Sequence, residues 1–252
     1  MKLNAYTALY SSLDVEYSQA MSGPYEDLSF HDDDCKVIAG LKDNRISGFW
    51  RPMVATGGDK ALKLHIERLY DICPHITYLD FLIDGRLSVI SQFLLRHGHT
   101  ARPYYTQIID LTRSVEDLHC GLRKSYKSLV NKTDVWNIVK VPEYRQMCET
   151  IKGPRRSDRT WEIQHRMKPL CLTDGKAGAM FYCNKPAAYY ASAAGENNHT
   201  AIYMAMGLLK NSGYKFLEMG EQIFAGDLKL VNISKYKRGF GGQTITRLIL
   251  EK

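Results

Sequence analysis

The chain has 252 residues, of which 44% are hydrophobic and 24% charged, and its formal net charge is +7. This composition is ordinary for a globular protein, and no run approaches the roughly 18 apolar residues of a membrane-spanning helix. The first residues lack a continuous apolar stretch, so we predict no signal peptide and a cytoplasmic location. The cysteines are scattered, which fits neither a disulfide framework nor a zinc pattern, and we expect no metal. The positive charge favours an anionic ligand without singling out nucleic acid.

The first half of the chain predicts a hairpin followed by alternating helices and strands. Lys42-Asp43-Asn44 is the hairpin turn, and Leu62, Ile66 and Leu69 lie at helical spacing. The preceding cluster His31-Asp32-Asp33-Asp34-Cys35 is interpreted as a polar turn, because consecutive residues do not converge easily on one ion. In chain order the predicted elements are strands at 35–41 and 45–54, a helix at 59–71, a strand at 76–83, a helix at 86–96 and a strand at 102–111.

The second half predicts the same order of elements. Asp174-Gly175 is a strong hairpin signal between two apolar runs. A helix begins near Ser114, where Ser114 and Asp117 approximate a capping box. Two mixed α/β modules in tandem are the simplest architecture, with a module at 1–112, a connecting helical segment at 113–169 and a second module at 170–252. The predicted elements of the second module are strands at 170–173, 176–183 and 187–194, a helix at 199–212, a strand at 214–220, a helix at 227–236 and a strand at 243–250.

The chain closes on an unusual run, in which Lys235, Lys237 and Arg238 precede Gly239-Phe240-Gly241-Gly242. Glycines let the backbone turn tightly and approach another group closely. Cations at a helix C-terminus are favourable against the helix dipole, so a well-capped terminal helix is the simpler interpretation of the same run.

Three segments in order resemble signatures of the Fem-type acyltransferases, a branch of the GNAT superfamily. The run ending at Gly242 resembles Phe-Lys-x-x-Phe-Gly-Gly, with Tyr236 in place of the first Phe. The segment 122–131 resembles the family's Leu-Arg-Lys-Ser-Tyr-Arg-Ser helix, and 213–220 resembles its Gly-x-x-x-x-Asp-x-Gly strand. The resemblance spans roughly residues 95–245. It implies two GNAT-like modules built on mixed sheets.

The resemblance implies an N-acyltransferase in which an amine attacks the acyl carbonyl directly, without a covalent enzyme intermediate. Lys237 would stabilise the negative charge that develops on the carbonyl oxygen, and Tyr236 would replace the family's Phe in a cation–π contact. Two residues are candidates for the base that removes the proton of the amine. They are Glu221, which follows Gly220 where the strand leaves the sheet, and His199 at a helix start.

In GNAT enzymes the phosphates of the donor lie at a helix N-terminus, where free N–H groups attract anions. Here that helix starts at 198–201, but the usual Gly-rich signature is absent, and Asn197 or Asn198 would serve equally well as a plain N-cap. The residues predicted to hold the donor are Asn198, Thr200, Ala201, Lys235 and Tyr236. Those predicted on the acceptor side are Arg123, Lys124, Tyr126 and Tyr190, the first two as phosphate contacts or simply as an exposed helix face.

The chain lacks an obvious coiled-coil insert and resembles the shorter GNAT members that acylate nucleotide-linked amino sugars for surface polysaccharides. This resemblance implies an acyl-CoA as the donor and a nucleotide-linked amino sugar as the acceptor. Aminoacyl-tRNA, the donor of the Fem-type peptidoglycan enzymes, is the first alternative. A non-catalytic module that binds nucleotide sugar or RNA is the second. The basic segment 152–159 opens with Gly153-Pro154 and is predicted to be a loop, either solvated or in contact with phosphate.

Overall fold

The computed structural model describes residues 25–48, 51–82, 85–130, 136–184 and 186–252. Its elements begin with β1 (Glu26–Asp27), β2 (Phe30–His31), β3 (Cys35–Ile38), β4 (Gly40–Lys42), β5 (Arg45–Ser47), β6 (Val54–Gly57), α1 (Asp59–Ile72), β7 (Tyr78–Asp80), α2 (Val89–Arg96) and β8 (Thr100–Asp110). They continue with α3 (Val115–Cys120), α4 (Lys124–Val130), β9 (Asn137–Val139), α5 (Val141–Lys152), α6 (Asp158–Arg166), β10 (Leu170–Thr173), β11 (Gly178–Asn184), β12 (Ala187–Ala194), α7 (His199–Asn211), β13 (Phe216–Glu221), α8 (Leu228–Arg238) and β14 (Gln243–Glu251). Contacts divide the chain into two units, one of residues 1–104 and 246–252 and one of residues 105–245.

The described part of the first unit is built from short antiparallel strands and two helices. Strands β1, β4 and β5 form one sheet, β2, β3 and β6 form another, and β7 pairs with β14. Leu62, Ile66 and Leu69 are all buried on α1, which confirms the helical spacing of the sequence. These side chains belong to one core with Ile46 and Met53, both fully buried.

The second unit is organised on a mixed sheet with the strand order β8-β13-β12-β11-β10-β9. Strands β12 and β13 pair in parallel, whereas the other neighbours in this order are antiparallel. Parallel neighbours need a crossover connection, and α7 supplies it between β12 and β13.

The two faces of this sheet carry different helices. Phe181 on β11 belongs to one core with Tyr126 on α4 and Met206 on α7. On the opposite face, Tyr144 of α5 donates its hydroxyl hydrogen bond to the carbonyl oxygen of Ser192 at 3.3 Å. Strand side chains alternate between the two faces, so the sheet is covered on both sides.

Several predicted boundaries need correction. The predicted strand at 45–54 is two strands, β5 and β6, with a bridge between Gly48 and Arg51 in the segment that joins them. Of the strand predicted at 76–83, the described residues form only Tyr78–Asp80, and residue 83 lies outside them. The Asp80 carboxylate accepts the backbone N–H of Leu82 and of Ser88, which turns the chain. The following helix begins at Val89 rather than at residue 86, since Ser88 is its N-cap. The last helix runs to Arg238, two residues beyond the predicted end at 236.

The predicted helical segment at 113–169 contains α3, α4, α5 and α6, together with β9 at the sheet edge. Ser114 caps α3 as predicted, because its hydroxyl oxygen accepts the N–H of Asp117 at 3.0 Å. This segment lies in the same unit as residues 170–245. The division into two GNAT-like modules at 1–112 and 170–252 stays a prediction. Among the helices of the described residues, none has the length and apolar character needed to cross a membrane.

Candidate functional site

The parallel strands β12 and β13 separate part-way along their length. They pair from Ala187↔Phe216 to Tyr189↔Glu218. β12 then continues to Ala194 while still paired with β11, and β13 continues to Glu221 while paired with β8. The pairing of β13 with β8 shifts register between Glu218 and Gly220, and such an irregularity bends a strand away from its neighbour. Within the described ranges, no strand therefore pairs with the β13-facing edge of β12 beyond Tyr189, and this stretch is called the open edge of β12.

Gly220, Tyr189 and Lys237 meet beside this separation. Gly220 has a φ of +80°, in the left-handed region that favours glycine. A methyl group built on Gly220 would lie 2.8 Å from the Tyr189 hydroxyl oxygen and 3.4 Å from Nζ of Lys237. The missing side chain thus leaves room for a phenol and an ammonium to approach the β13 backbone.

The cations of the last helical turn point in different directions. Lys237 is half-buried and reaches Gly220. Arg238 donates through Nη1 to Oε1 of Gln222 at 3.1 Å and stacks on Phe224. Lys235 is exposed. All three benefit from the negative end of the α8 dipole, but Lys237 is the one that lies beside the separated strands.

The carboxylates near this strand end differ in burial. Glu221, a predicted base, is the last residue of β13 and is exposed. Glu218 is fully buried, and one of its carboxylate oxygens accepts the hydroxyl of Thr106 at 2.7 Å. The exposed Glu221 is free to rotate toward an incoming group, whereas Glu218 is fixed within the sheet. The role of Glu221 as a base stays a prediction.

His199, the other predicted base, is packed in an aromatic cluster. Its ring centroid lies 4.3 Å from that of Tyr126, 5.0 Å from Tyr236 and 5.9 Å from Phe240. Burial and the positive charge of Arg123 lower the pKa of His199, which favours the neutral imidazole. Among the described residues no hydrogen-bond partner meets its buried Nδ1 or the hydroxyl oxygen of Tyr236. The neutral ring is suited to accept a proton, and its ring contacts restrict its movement.

The glycine-rich ending packs against distant parts of the second unit. A side chain at Gly239 would collide with the ring of Tyr126, and side chains at Gly241 and Gly242 would meet the backbone of Gly121 and Ile108. The predicted close approach is confirmed. Close packing at all three positions explains why one glycine cap would not suffice here.

Arg123 and Lys124, predicted to contact acceptor phosphates, lie at the start of α4. Arg123 donates its backbone N–H to the carbonyl oxygen of Gly239 at 2.8 Å and its Nη2 to that of Lys235 at 2.8 Å. Its guanidinium also lies over the Tyr126 ring, 5.1 Å from the centroid. Arg123 therefore joins α4 to the end of α8, and Lys124 stays exposed beside it.

The helix start predicted to hold donor phosphates is packed against α4. Asn198 is buried and does not cap the helix with its side chain; its Nδ2 donates to the carbonyl oxygens of Ala194 and Gly195. Thr200 donates its hydroxyl to the carbonyl oxygen of Leu129 at 3.2 Å, and Ala201 is fully buried. Asn198 is the N-cap residue of α7, as the alternative interpretation predicted, although its side chain accepts no hydrogen bond from the first helical turn. Phosphate binding at 198–201 stays a prediction.

Tyr190 and Tyr236 are partly buried and pack against the core of the second unit. Tyr190 lies 5.6 Å from the ring of Phe181, and Tyr236 lies 5.3 Å from that of Phe240. Burial raises the pKa of both phenols, which therefore stay protonated. The tyrosine beside Lys237 is Tyr189, which sequence reasoning missed. Neighbouring residues of a strand face opposite sides of the sheet. The sequence alone does not show which of Tyr189 and Tyr190 faces Lys237, because that depends on the pairing register of β12.

One possible set of metal ligands occurs in the first unit. Asp32, Cys35 and His65 each offer a ligand atom, and these atoms lie within 4.8 Å of one another. His65 comes from α1, so the run His31–Cys35 alone gave no sign of this grouping. Oδ1 of Asp32 accepts the backbone N–H of Asp34 and of Cys35, as expected of a polar turn. The expectation of no metal stays a prediction.

Neither a protein-family model nor a curated protein matches this chain. Among solved structures, FemX superposes with a TM-score of 0.66 at 10% identity, covering 99% of this chain and 96% of FemX. The chain shares the fold of FemX. L-PGS from Bacillus licheniformis superposes with a TM-score of 0.64 at 10% identity, covering 94% of this chain and 90% of that one. The C-terminal domain of a protein described as a lysylphosphatidylglycerol synthetase from Agrobacterium fabrum superposes with a TM-score of 0.63 at 10% identity. The match covers 98% of this chain and 91% of that domain. The predicted Fem-like, mixed α/β fold is confirmed.

Proposed function

We propose that this chain is an N-acyltransferase that holds its acyl donor at the separation of β12 and β13. The observation that carries this proposal is the position of Lys237 beside Gly220 and Tyr189. It places an ammonium and a phenol next to an open strand edge, where a carbonyl group can be held and polarised.

The open edge of β12 suits a donor that contains amide groups. Backbone N–H and C=O groups on an unpaired strand edge bind an extended ligand as they would bind another strand. The pantetheine arm of coenzyme A is such a ligand, and coenzyme A supplies the acyl group as an activated thioester. The residues present therefore fit an acyl-CoA donor.

The reaction requires stabilisation of the carbonyl oxygen and removal of a proton from the attacking amine. The ammonium of Lys237 stabilises the negative charge as the amine attacks; one such donor contributes about 2.7–4 kcal/mol to the transition state. The phenol of Tyr189 lies beside the same space and can donate a second hydrogen bond. The exposed carboxylate of Glu221 or the neutral imidazole of His199 accepts the proton of the amine. The tetrahedral adduct then collapses to the amide as its carbon–sulfur bond breaks, and coenzyme A leaves as the thiolate, which takes up a proton to become the free thiol.

The acceptor proposed here is the amino group of a nucleotide-linked sugar. The net charge of +7 favours a substrate that carries phosphate. Lys124, exposed at the start of α4, and the guanidinium of Arg123 beside it are suited to an anionic group.

The test is the substitution Lys237→Ala, assayed by product mass with a panel of amino-sugar nucleotides and acyl-CoAs. We expect kcat to fall about 100-fold or more with little change in KM, because the ammonium acts mainly on the transition state. Lys237→Arg should restore only part of the rate, since a planar guanidinium does not reproduce a compact charge. Lys235→Ala is the matched control, because Lys235 lies on the same helical turn and is exposed. Arg238→Ala is a second control and also removes the contact with Gln222. Equal losses in all the alanine variants would refute a catalytic role for Lys237.

A second candidate donor is aminoacyl-tRNA. The observation that favours it is the burial of Asn198 and Ala201, whose side chains have almost no exposed surface with which to bind coenzyme A. Transfer from charged tRNA without measurable binding of coenzyme A would establish this alternative. Binding of nucleotide sugar without turnover on either donor would establish a non-catalytic module.

A further inference from the structure

A cationic cavity lies on the second unit, where the end of α5, the loop at 153–157 and α6 meet the end of β12. Its volume is about 270 Å³, close to the lower end of the roughly 300–1,000 Å³ typical of small-molecule sites. The cavity is lined by Lys152, Arg155 and Arg156, by the indole of Trp161, and by β12 from Ser192 to Ala194.

Local contacts position these cations. The guanidinium of Arg156 lies over the Trp161 ring, 4.8 Å from its centroid. Arg155 donates through Nε to the carbonyl oxygen of Lys152 at 3.2 Å, and Nζ of Lys152 donates to that of Ala193 at 2.5 Å. Each cation therefore has a defined place at the cavity wall, which reduces the entropy lost when a ligand binds.

Nearby carboxylates are committed to a different arginine. Glu149 lines the cavity, but its Oε1 accepts Nε of Arg145 at 2.8 Å, and Oδ1 of Asp158 accepts Nη2 of the same arginine. Burial lowers the pKa of Lys152, and the positive charges of Arg155, Arg156 and Lys229 lower it further. Several cations thus share one small volume, an arrangement that a bound anion would stabilise.

We propose that this cavity, rather than the start of α4, binds the diphosphate of the acceptor, the anionic part of a nucleoside-diphosphate sugar. Guanidinium groups match the geometry of phosphate oxygens, and the Trp161 ring gives the cavity an apolar wall. Ser192 to Ala194 follow Tyr189 on β12, so at about 3.3 Å per residue the cavity lies roughly 10–17 Å along the strand from the proposed acyl-transfer point. A ligand that occupies both points must hold its amine roughly that far from its diphosphate. The identity of the acceptor rests on the proposed function, whereas anion binding by the cavity does not.

The test is calorimetric titration of the full chain with inorganic pyrophosphate. We expect wild type to bind, and the double variant Arg155→Gln/Arg156→Gln to bind at least about tenfold more weakly, because each charge-assisted hydrogen bond contributes on this scale. Lys140→Ala is the matched control: it removes an exposed cation from the opposite end of α5 and should bind as wild type does. A thermal unfolding scan checks that the double variant is folded. Equal affinity in the double variant and wild type, or no binding by wild type, would overturn the proposal.

Further titrations distinguish the source of the phosphate. A nucleoside diphosphate should compete with pyrophosphate, and its affinity should fall in the double variant while that of coenzyme A does not. If the double variant loses affinity for coenzyme A or for tRNA but keeps its affinity for the nucleoside diphosphate, the cavity binds the donor. The assignment of the cavity to the acceptor is then wrong. Lys237→Ala should bind pyrophosphate as wild type does, so a failure of the catalytic proposal leaves this result unaffected.

Discussion

Substitution of Gly220 by Ala tests directly whether the space beside Lys237 matters. The left-handed φ of +80° costs an L-residue about 1–2 kcal/mol. The added methyl would also lie 2.8 Å from the hydroxyl oxygen of Tyr189, so the phenol must move. Steric crowding of this kind typically costs about 1–3 kcal/mol more.

Gly213→Ala provides a matched control for the backbone cost. Its φ is +83°, almost the same, but nothing lies within 4 Å of the added methyl. The difference in free energy of unfolding between the two variants therefore isolates the contacts at Gly220. We expect Gly220→Ala to be the less stable by about 1–3 kcal/mol, with a lower Tm by about 2–4 °C for each kcal/mol.

Activity separates the two variants more sharply than stability does. A displacement of about 1 Å in an active site can reduce the rate about 100-fold, so kcat of Gly220→Ala should fall by that order. Gly213→Ala should keep a wild-type kcat at a temperature where both variants are folded. The assay is product formation from acyl-CoA and an amino-sugar nucleotide. Equal kcat in the two variants would refute the reasoning that the space at Gly220 belongs to the active site.

Two further predictions concern α7. Because the folded chain lowers the pKa of His199 below its ordinary 6.5, the unfolded chain binds its proton first, and stability falls as pH drops from about 6.5 toward the folded pKa. When the pH is lowered from about 7 to about 5, the free energy of unfolding of His199→Phe should therefore fall less than that of wild type in denaturant unfolding. Equal decreases in the two proteins would contradict the burial of a neutral imidazole. Thr200→Pro removes a backbone N–H that has no partner within the first helical turn, and should weaken coenzyme A binding about tenfold in calorimetry if that N–H donates to phosphate. Thr200→Val also loses the bond to Leu129 but keeps the N–H, so equal weakening in both variants would exclude this donor site.

Local signals in the sequence predicted much of the fold. Asp43 and Asn44 both adopt positive φ, of 50° and 55°, as a tight hairpin turn requires. The apolar spacing of α1 and the hairpin at Asp174-Gly175 also follow from nearby residues alone. The division of the predicted strand at 45–54 did not follow, because it depends on pairing with Ile76 and Tyr78, residues distant in the chain.

The candidate site was harder to predict because its geometry is tertiary. Lys235, Lys237 and Arg238 look equivalent in sequence, and only the rotation of α8 sends Lys237 toward Gly220. The segment 152–159 was predicted as a loop that is either solvated or bound to phosphate. No local pattern shows that Arg155 and Arg156 share a cavity with β12.

The contact between α4 and α8 has a consequence for biosynthesis. The Tyr126 hydroxyl donates to the carbonyl oxygen of Tyr236, and 110 residues separate the two along the chain. At about 5–20 residues per second, a ribosome needs roughly 5–20 s to make that interval. Throughout this time α4 has been synthesised without the segment that packs on Tyr126. This contact of α4 forms only after that interval, during which chaperones that bind exposed apolar segments can bind the uncovered part of α4.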